Sequence, residues 1–207
     1  GAAIDAQCKP DGHRALSQAL SSFATGVSEI VVKHQGVPIY AGGDDILAYL
    51  PLHTALDCAE KLAVTFAETM TDFKSNNGRS PTLSAGIVVA HHLTPLSDVL
   101  DLARQAEKAA KGVPGKDALA ITISKRSGVD RTVKGKRNAL YTRLTELSDL
   151  LRGKEIGKRV AYELQELSQR LRDAGLPPEA LEKEALRIVE RKRESGSDKK
   201  LDQKVKE

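Results

Sequence analysis

The 207-residue sequence predicts an α+β fold, strands with helices packed on one face, followed by a wholly helical region. Three observations carry that expectation. Helical and strand periodicities alternate as α, β-hairpin, α, β, α, β between His13 and Ile123. The hairpin in that series turns on Gly42-Gly43-Asp44-Asp45, set between two short apolar runs. After Ser124 only helical period remains, and the chain becomes basic.

The elements follow in order. From His13 to His34, Leu16, Leu20, Phe23, Val27, Ile30 and Val31 recur at helical spacing and predict one long helix. Ile30-Val31-Val32 alone would favour a strand. Gly36 supplies a stop. Val37-Pro38-Ile39-Tyr40 and Ile46-Leu47-Ala48-Tyr49-Leu50 are the hairpin strands. Leu52 to Phe73 is helical through Leu56, Ala59, Leu62, Phe66 and Met70. Asn76-Asn77-Gly78-Arg79-Ser80-Pro81 is a loop. Thr82 to Ala90 is so continuously apolar that it predicts a strand buried on both faces. Pro95 to Lys111 is an amphipathic helix ended by Gly112 and Pro114, and Ala118 to Ile123 is a final strand.

The segment from Lys125-Arg126-Ser127-Gly128 to Lys134-Gly135-Lys136-Arg137 reads as a basic, glycine-punctuated connector. Helices are predicted near 137–152, 155–174 and 178–193. Leu140, Leu144, Leu147 and Leu151 mark one face, and Leu164, Leu167 and Leu171 another. Ser195 to Glu207 is expected to be disordered or loosely helical. The domain expectation is 1–128, 129–194 and a 195–207 tail. The opening Gly1-Ala2-Ala3-Ile4-Asp5-Ala6 has no translation start or capping signal, as the interior of a longer protein would.

Composition narrows the function classes. Aromatic residues make up 3% and tryptophan is absent, which argues against capture of single strands by base stacking. Cys8 and Cys58 stand far apart with no C-x-x-C, so both are expected reduced and structural. No apolar run is expected to span a bilayer, and a soluble, cytoplasmic protein is expected. Residues 1–123 hold ten Lys/Arg against thirteen Asp/Glu, a net of −3; residues 124–207 hold twenty-two against fifteen, a net of +7. That asymmetry suggests a basic module for RNA or an acidic partner, and is equally compatible with a solvated helical surface.

The chemistry centres on the hairpin. Asp44 and Asp45 repel each other unless something positive lies between them. A divalent cation resolves this, and Mg²⁺ (or Mn²⁺) prefers few carboxylates with water and substrate phosphates. Gly42 and Gly43 allow a turn with positive φ and let a triphosphate approach the backbone without meeting a Cβ. Asp44 and Asp45 are therefore the candidate catalytic and metal-holding residues for phosphoryl transfer. A bare Gly-Gly-Asp-Asp also suits an ordinary hairpin turn. Ser84 either faces a nucleotide or is a buried, backbone-bonded serine. His91-His92 could meet metal or base, but exposed loop histidines are commoner.

Ile39-Tyr40-Ala41-Gly42-Gly43-Asp44-Asp45-Ile46-Leu47-Ala48, then Leu83-Ser84-Ala85-Gly86-Ile87-Val88 and Ile123-Ser124-Lys125-Arg126-Ser127-Gly128, resemble the polymerase-like large subunit of type III CRISPR effector complexes. The Lys-Arg-Ser-Gly stretch resembles the Cmr-type branch, type III-B. The resemblance covers residues 1–128 and implies a palm domain, ferredoxin-like and of nucleotidyl-cyclase type, followed by an all-α C-terminal domain. It implies conversion of ATP to cyclic oligoadenylate when target RNA binds, the 3′-hydroxyl of one ATP attacking the α-phosphate of another. Asp44 and Asp45 would hold the metals, and Gly42 and Gly43 would border the nucleotide. Implied partners are the other effector subunits, including a small helical one, with guide RNA and target RNA, and no membrane.

The related diguanylate cyclases place a phosphate-contacting lysine in a pattern like A-K-x-x-G-[RK]-[ND]. Ala110-Lys111 and Gly115-Lys116-Asp117 resemble it with a short insertion, which makes Lys111 first and Lys116 second as triphosphate contacts. A solvated helix end explains the same lysines. The family's first palm strand, with its Asp-x-Asp-type ligand, is expected upstream of Gly1. The His-Asp nuclease motif and the zinc-binding cysteine cluster do not occur in these residues. Two other readings stand beside this one. A silent scaffold would use the basic helices to dock a subunit or guide RNA. A diguanylate-cyclase relative using GTP fits less well, since Asp-Asp-Ile replaces the usual Glu-Phe.

Overall fold

Helix α1 (Pro10–Lys33) opens the computed structural model, which describes residues 10–75, 78–125, 128–153, 156–157, 159–173 and 178–191. Leu16, Phe23, Val27 and Val31 are buried along one stripe. Contrary to expectation, Asp11–Lys33 is long and apolar enough by length and composition to cross a membrane. Its apolar stripe instead packs against α2 and the hairpin.

The end of α1 corrects the role of Gly36. Gln35 takes the left-handed φ of 62°, the Gly36 N–H donates to Val31 O at 2.9 Å, and the Gln35 N–H donates to Val32 O at 2.9 Å. This is the Schellman pattern with glutamine at its left-handed position. Gly36 is needed for space. A Cβ there would stand 2.7 Å from Tyr49 O and 2.6 Å from Leu50 Cδ2.

Strands β1 (Val37–Gly42) and β2 (Asp45–Tyr49) pair antiparallel. Pro38 pairs with Ala48 and Tyr40 with Leu47, so Ile39 is an extra residue on β1. A bulge beside Pro38 suits a residue with no N–H to give. Helix α2 (Leu52–Thr69) follows, stopping at the Met70 cap short of the expected Phe73. The Thr54 hydroxyl donates to His34 O at 2.7 Å and ties α2 to the end of α1. Phe23 and Phe66 meet edge to face, centroids 5.1 Å apart.

Cys58 lies fully buried in this core, and burial pushes its thiol up to about 11. The folded thiol stays protonated at neutral pH and inert. Alkylation at pH 8, read by peptide mass spectrometry, is expected to leave Cys58 unmodified until the protein is denatured. Because the folded pKa is raised, stability is expected to be full below the ordinary thiol range and to fall as pH climbs from about 9 toward about 11.

The remaining strands form a separate three-stranded ladder, ordered β3–β4–β5. β3 (Ala85–Ala90) runs parallel to β4 (Ala118–Ser124), and β5 (Arg131–Lys136) pairs antiparallel with β4. Two expectations change here. Among the described residues β3 lies at the edge of this ladder and is half-buried throughout, and the buried centre is β4. The presumed connector contains β5, whose exposed Arg-Thr-Val-Lys-Gly-Lys has no apolar alternation to read. Its pairing is reinforced by the Thr122 and Thr132 hydroxyls, 2.8 Å apart.

Helix α3 (Leu96–Lys111) packs Ala106 and Ala110 onto Ala118 and Ala120. The approach is close enough that a Cβ on Gly86 would lie 2.8 Å from the Ala106 carbonyl carbon and collide with the Glu107 backbone nitrogen.

Helices α4 (Arg137–Arg152), α5 (Val160–Asp173) and α6 (Pro178–Arg191) follow. The chain divides into two compact units, Gly1–Thr142 and Arg143–Glu207. In the second, Ile156, Val160, Ile188 and Val189 form the core with Leu150, Leu151, Leu164 and Leu167 around it. Leu147, expected on an apolar face, is 46% exposed. Helix α5 begins five residues after the expected start at 155. Cys8, Asn76-Asn77, Arg126-Ser127, the Leu171 side chain and the 195–207 tail lie outside the described residues.

Candidate nucleotide and metal site

The hairpin tip is a two-residue turn, Gly43-Asp44, closed by the Gly42–Asp45 pair. Only Gly43 takes positive φ, at 63°. Positive φ at the first turn position alone is the type II′ pattern, where glycine belongs. Gly42 has a different reason for being glycine. A Cβ there would collide with the Tyr40 hydroxyl and come within 2.8 Å of Tyr40 Cζ.

Asp44 and Asp45 are both exposed at this tip. Ala41, Ile46 and Ala48 pack into the core, so alternation sends Asp45, with Tyr40, to the opposite face. The core thus anchors the hairpin from behind and leaves the carboxylates free to face a ligand.

Lys111, last residue of α3, lies within electrostatic reach of this pair. Its ammonium contacts Glu107 at 2.5 Å. That hydrogen bond, partly offset by desolvation, holds its pKa above the usual lysine value, and the charges of Asp45 and Asp44 add to the effect. The attraction is present at neutral pH and is lost only as pH rises beyond the ordinary lysine range.

Lys116 is exposed in the α3–β4 turn, where Gly115, Lys116 and Asp117 have φ of 75°, 51° and 49°. The Ser84 hydroxyl accepts the Ala118 N–H at 3.3 Å, a tether between the start of β4 and the residue before β3. His91 and His92 sit at the other end of β3, with ring centroids 4.4 Å apart. His91 Nδ1 accepts the Leu93 N–H at 3.2 Å.

Among the described residues no group of three or more His, Cys, Asp or Glu side chains could cage a metal. Two exposed carboxylates with open surroundings nonetheless fit Mg²⁺, which takes one or two carboxylates and completes its shell with water and phosphate oxygens.

A cleft of about 500 Å³ opens between α1 and the hairpin tip, lined by Ser17, Ser21 and Thr25 and by Ala41-Gly42-Gly43. The three hydroxyl residues recur every fourth position, and that stripe beside the glycine turn was the available signal. The Thr25 hydroxyl is engaged with Ser21 O at 2.9 Å.

Residues 1–120 match the family described as Cas10/Cmr2, second palm domain. Over 120 residues the chain is 46% identical to the CRISPR system Cmr subunit Cmr2 of Pyrococcus furiosus, covering 58% of this chain and 14% of that protein. It is 32% identical over 108 residues to the Saccharolobus solfataricus Cmr2 subunit, covering 44% of this chain and 10% of the relative. The chain therefore spans a small fraction of the length of these relatives. The fold matches a chain of the type III-B Cmr-beta apo structure at TM-score 0.64 and 20% identity, over 95% of this chain and 23% of the other. The same architecture bound to cognate target RNA matches at TM-score 0.62 and 18% identity, over 94% and 23%. On the family match across more than half its length, the chain belongs to the second palm domain family of Cas10/Cmr2.

Proposed function

We propose that this chain is the nucleotidyltransferase palm of a type III-B effector's large subunit, which converts ATP to cyclic oligoadenylates when target RNA binds. The observation that carries the reading is the exposed Asp44-Asp45 pair on a glycine turn, with Lys111 within its electrostatic reach. In this reading the first compact unit, β5 included, is the palm, and the later helices form an all-α domain that meets partner subunits or RNA.

Asp44 and Asp45 would hold divalent cations, which when bound would neutralise phosphate charge and favour ionisation of the attacking hydroxyl. Gly43 leaves open space where a side chain would stand. Lys111 offsets triphosphate charge, and Lys116 and Ser84 border the same nucleotide. The open cleft beside Gly42 and Gly43, where Leu20 and Ala24 stand among Ser17, Ser21 and Thr25, has room for a nucleoside. One new 3′-oxygen to α-phosphorus bond forms per step, and the bond to pyrophosphate breaks.

Incubating the RNA-loaded complex with ATP and Mg²⁺ tests this by mass spectrometry of products. Cyclic oligoadenylates and pyrophosphate are expected; unchanged ATP would refute the reading. Lys111→Ala is expected to raise KM for ATP roughly tenfold, the loss of about 1.4 kcal/mol from one charge-assisted contact, with kcat changed less.

A further inference from the structure

The α3–β4 turn holds the longest run of left-handed backbone among the described residues of the first unit. Gly115, Lys116 and Asp117 are three successive residues at positive φ, and two of them carry side chains. Left-handed backbone at non-glycine residues persists where surrounding structure over-determines it. Here the restraints come from the β5–α4 junction, twenty residues later in the chain. Lys136 Nζ donates to Lys116 O at 2.6 Å. The Arg137 N–H donates to Asp117 O at 3.0 Å, and Arg137 Nε donates to Asp117 Oδ1 at 2.8 Å. Within the turn, the Lys116 N–H donates to Val113 O at 2.9 Å.

Arg137 is itself fixed. Its Nη1 donates to Glu60 Oε1 on α2, and its side chain is only 16% exposed. Among the described residues the second Glu60 oxygen, Oε2, is buried with no hydrogen-bond partner, so this carboxylate depends on the guanidinium for its compensation. One planar fork thus joins the helix that follows the Asp44-Asp45 hairpin to the turn that follows Lys111. A lysine would offer a single point charge in place of that fork.

We infer that Lys136 and Arg137 are positioning residues. They hold the Gly115-Lys116-Asp117 turn in its left-handed form, and so fix where Lys116 stands for a nucleoside triphosphate. The inference rests on the nucleotide reading above for its ligand and on the turn's own hydrogen bonds for its geometry.

The test uses the full-length subunit in its RNA-loaded complex, with wild type, Lys136→Ala, Arg137→Lys, Lys116→Ala and the Lys116→Ala/Arg137→Lys double variant. Amide exchange over 113–118 is read without nucleotide, and KM and kcat are read with ATP. Both positioning variants are expected to speed exchange in the turn at least tenfold. They are also expected to raise KM about fivefold with kcat within twofold. In the double variant, Arg137→Lys is expected to add less than twofold to the KM of Lys116→Ala, because the lysine it positions is gone. Unchanged exchange at 113–118 with normal ATP use would overturn the bracing alone, as would fully additive KM effects. A wild-type complex that binds no ATP would overturn the nucleotide reading together with this inference. If Arg137→Lys does not fold, Lys136→Ala, which breaks an exposed contact, carries the exchange and kinetic arms.

Discussion

Alanine at both Asp44 and Asp45 of the full-length subunit is expected to lower nucleotide turnover by at least ~10³-fold, about 4 kcal/mol of transition-state stabilisation. The melting temperature is expected to hold or rise slightly. Both carboxylates are exposed at a turn, and the apolar contacts that anchor the hairpin come from Ala41, Ile46 and Ala48. Removing two adjacent like charges also relieves repulsion. Asn at both positions keeps the shape and removes the charge, and is expected to lose the same activity. Turnover and thermal unfolding measured on the same samples check the pair of outcomes. Loss of folding together with activity would make the aspartates structural.

The second large effect belongs to a residue with no chemistry. Gly86→Ala is expected to destabilise the protein by about 2–3 kcal/mol, the usual cost of overpacking where backbone must move. The added carbon would meet the Ala106 and Glu107 backbone, which cannot rotate away. Helix α3 would lift from β3 and carry Lys111 with it, so nucleotide use is expected to weaken as well. Gly42→Ala is the control. It meets the outer end of the Tyr40 side chain, which can swing, and stability is expected to change by less than about 1 kcal/mol. Thermal or chemical unfolding of the two variants separates the cases.

Much of the first unit was legible because its signals are local. Leu16, Phe23, Val27 and Val31 keep helical period through a β-branched stretch, and all four are buried. The glycine–aspartate turn announced the hairpin, and Asp44 and Asp45 stand at its tip as the motif implied. What escaped depends on contacts distant in sequence. Gly36 looks like a helix stop, but its constraint is the Tyr49 carbonyl across the hairpin, and Gln35 takes the left-handed position. β5 has no apolar alternation and exists because β4 offers it an edge. The apolar run from Thr82 to Ala90 promised burial on both faces, yet among the described residues β3 lies at the edge of its ladder and the Ala118 run is the buried strand. Arg137 read as one more charge in a basic stretch; only folding brings it to Glu60 and Asp117.

Titrating Mn²⁺ into the full-length subunit, with and without a non-hydrolysable ATP analogue, tests the central claim most directly when read by electron paramagnetic resonance. The wild type is expected to take up Mn²⁺ in a nucleotide-dependent way, and the Asp44→Asn/Asp45→Asn variant is expected to lose that uptake while melting at the same temperature. Equal, nucleotide-dependent Mn²⁺ binding by the two proteins would contradict the assignment of the hairpin as the metal and nucleotide site.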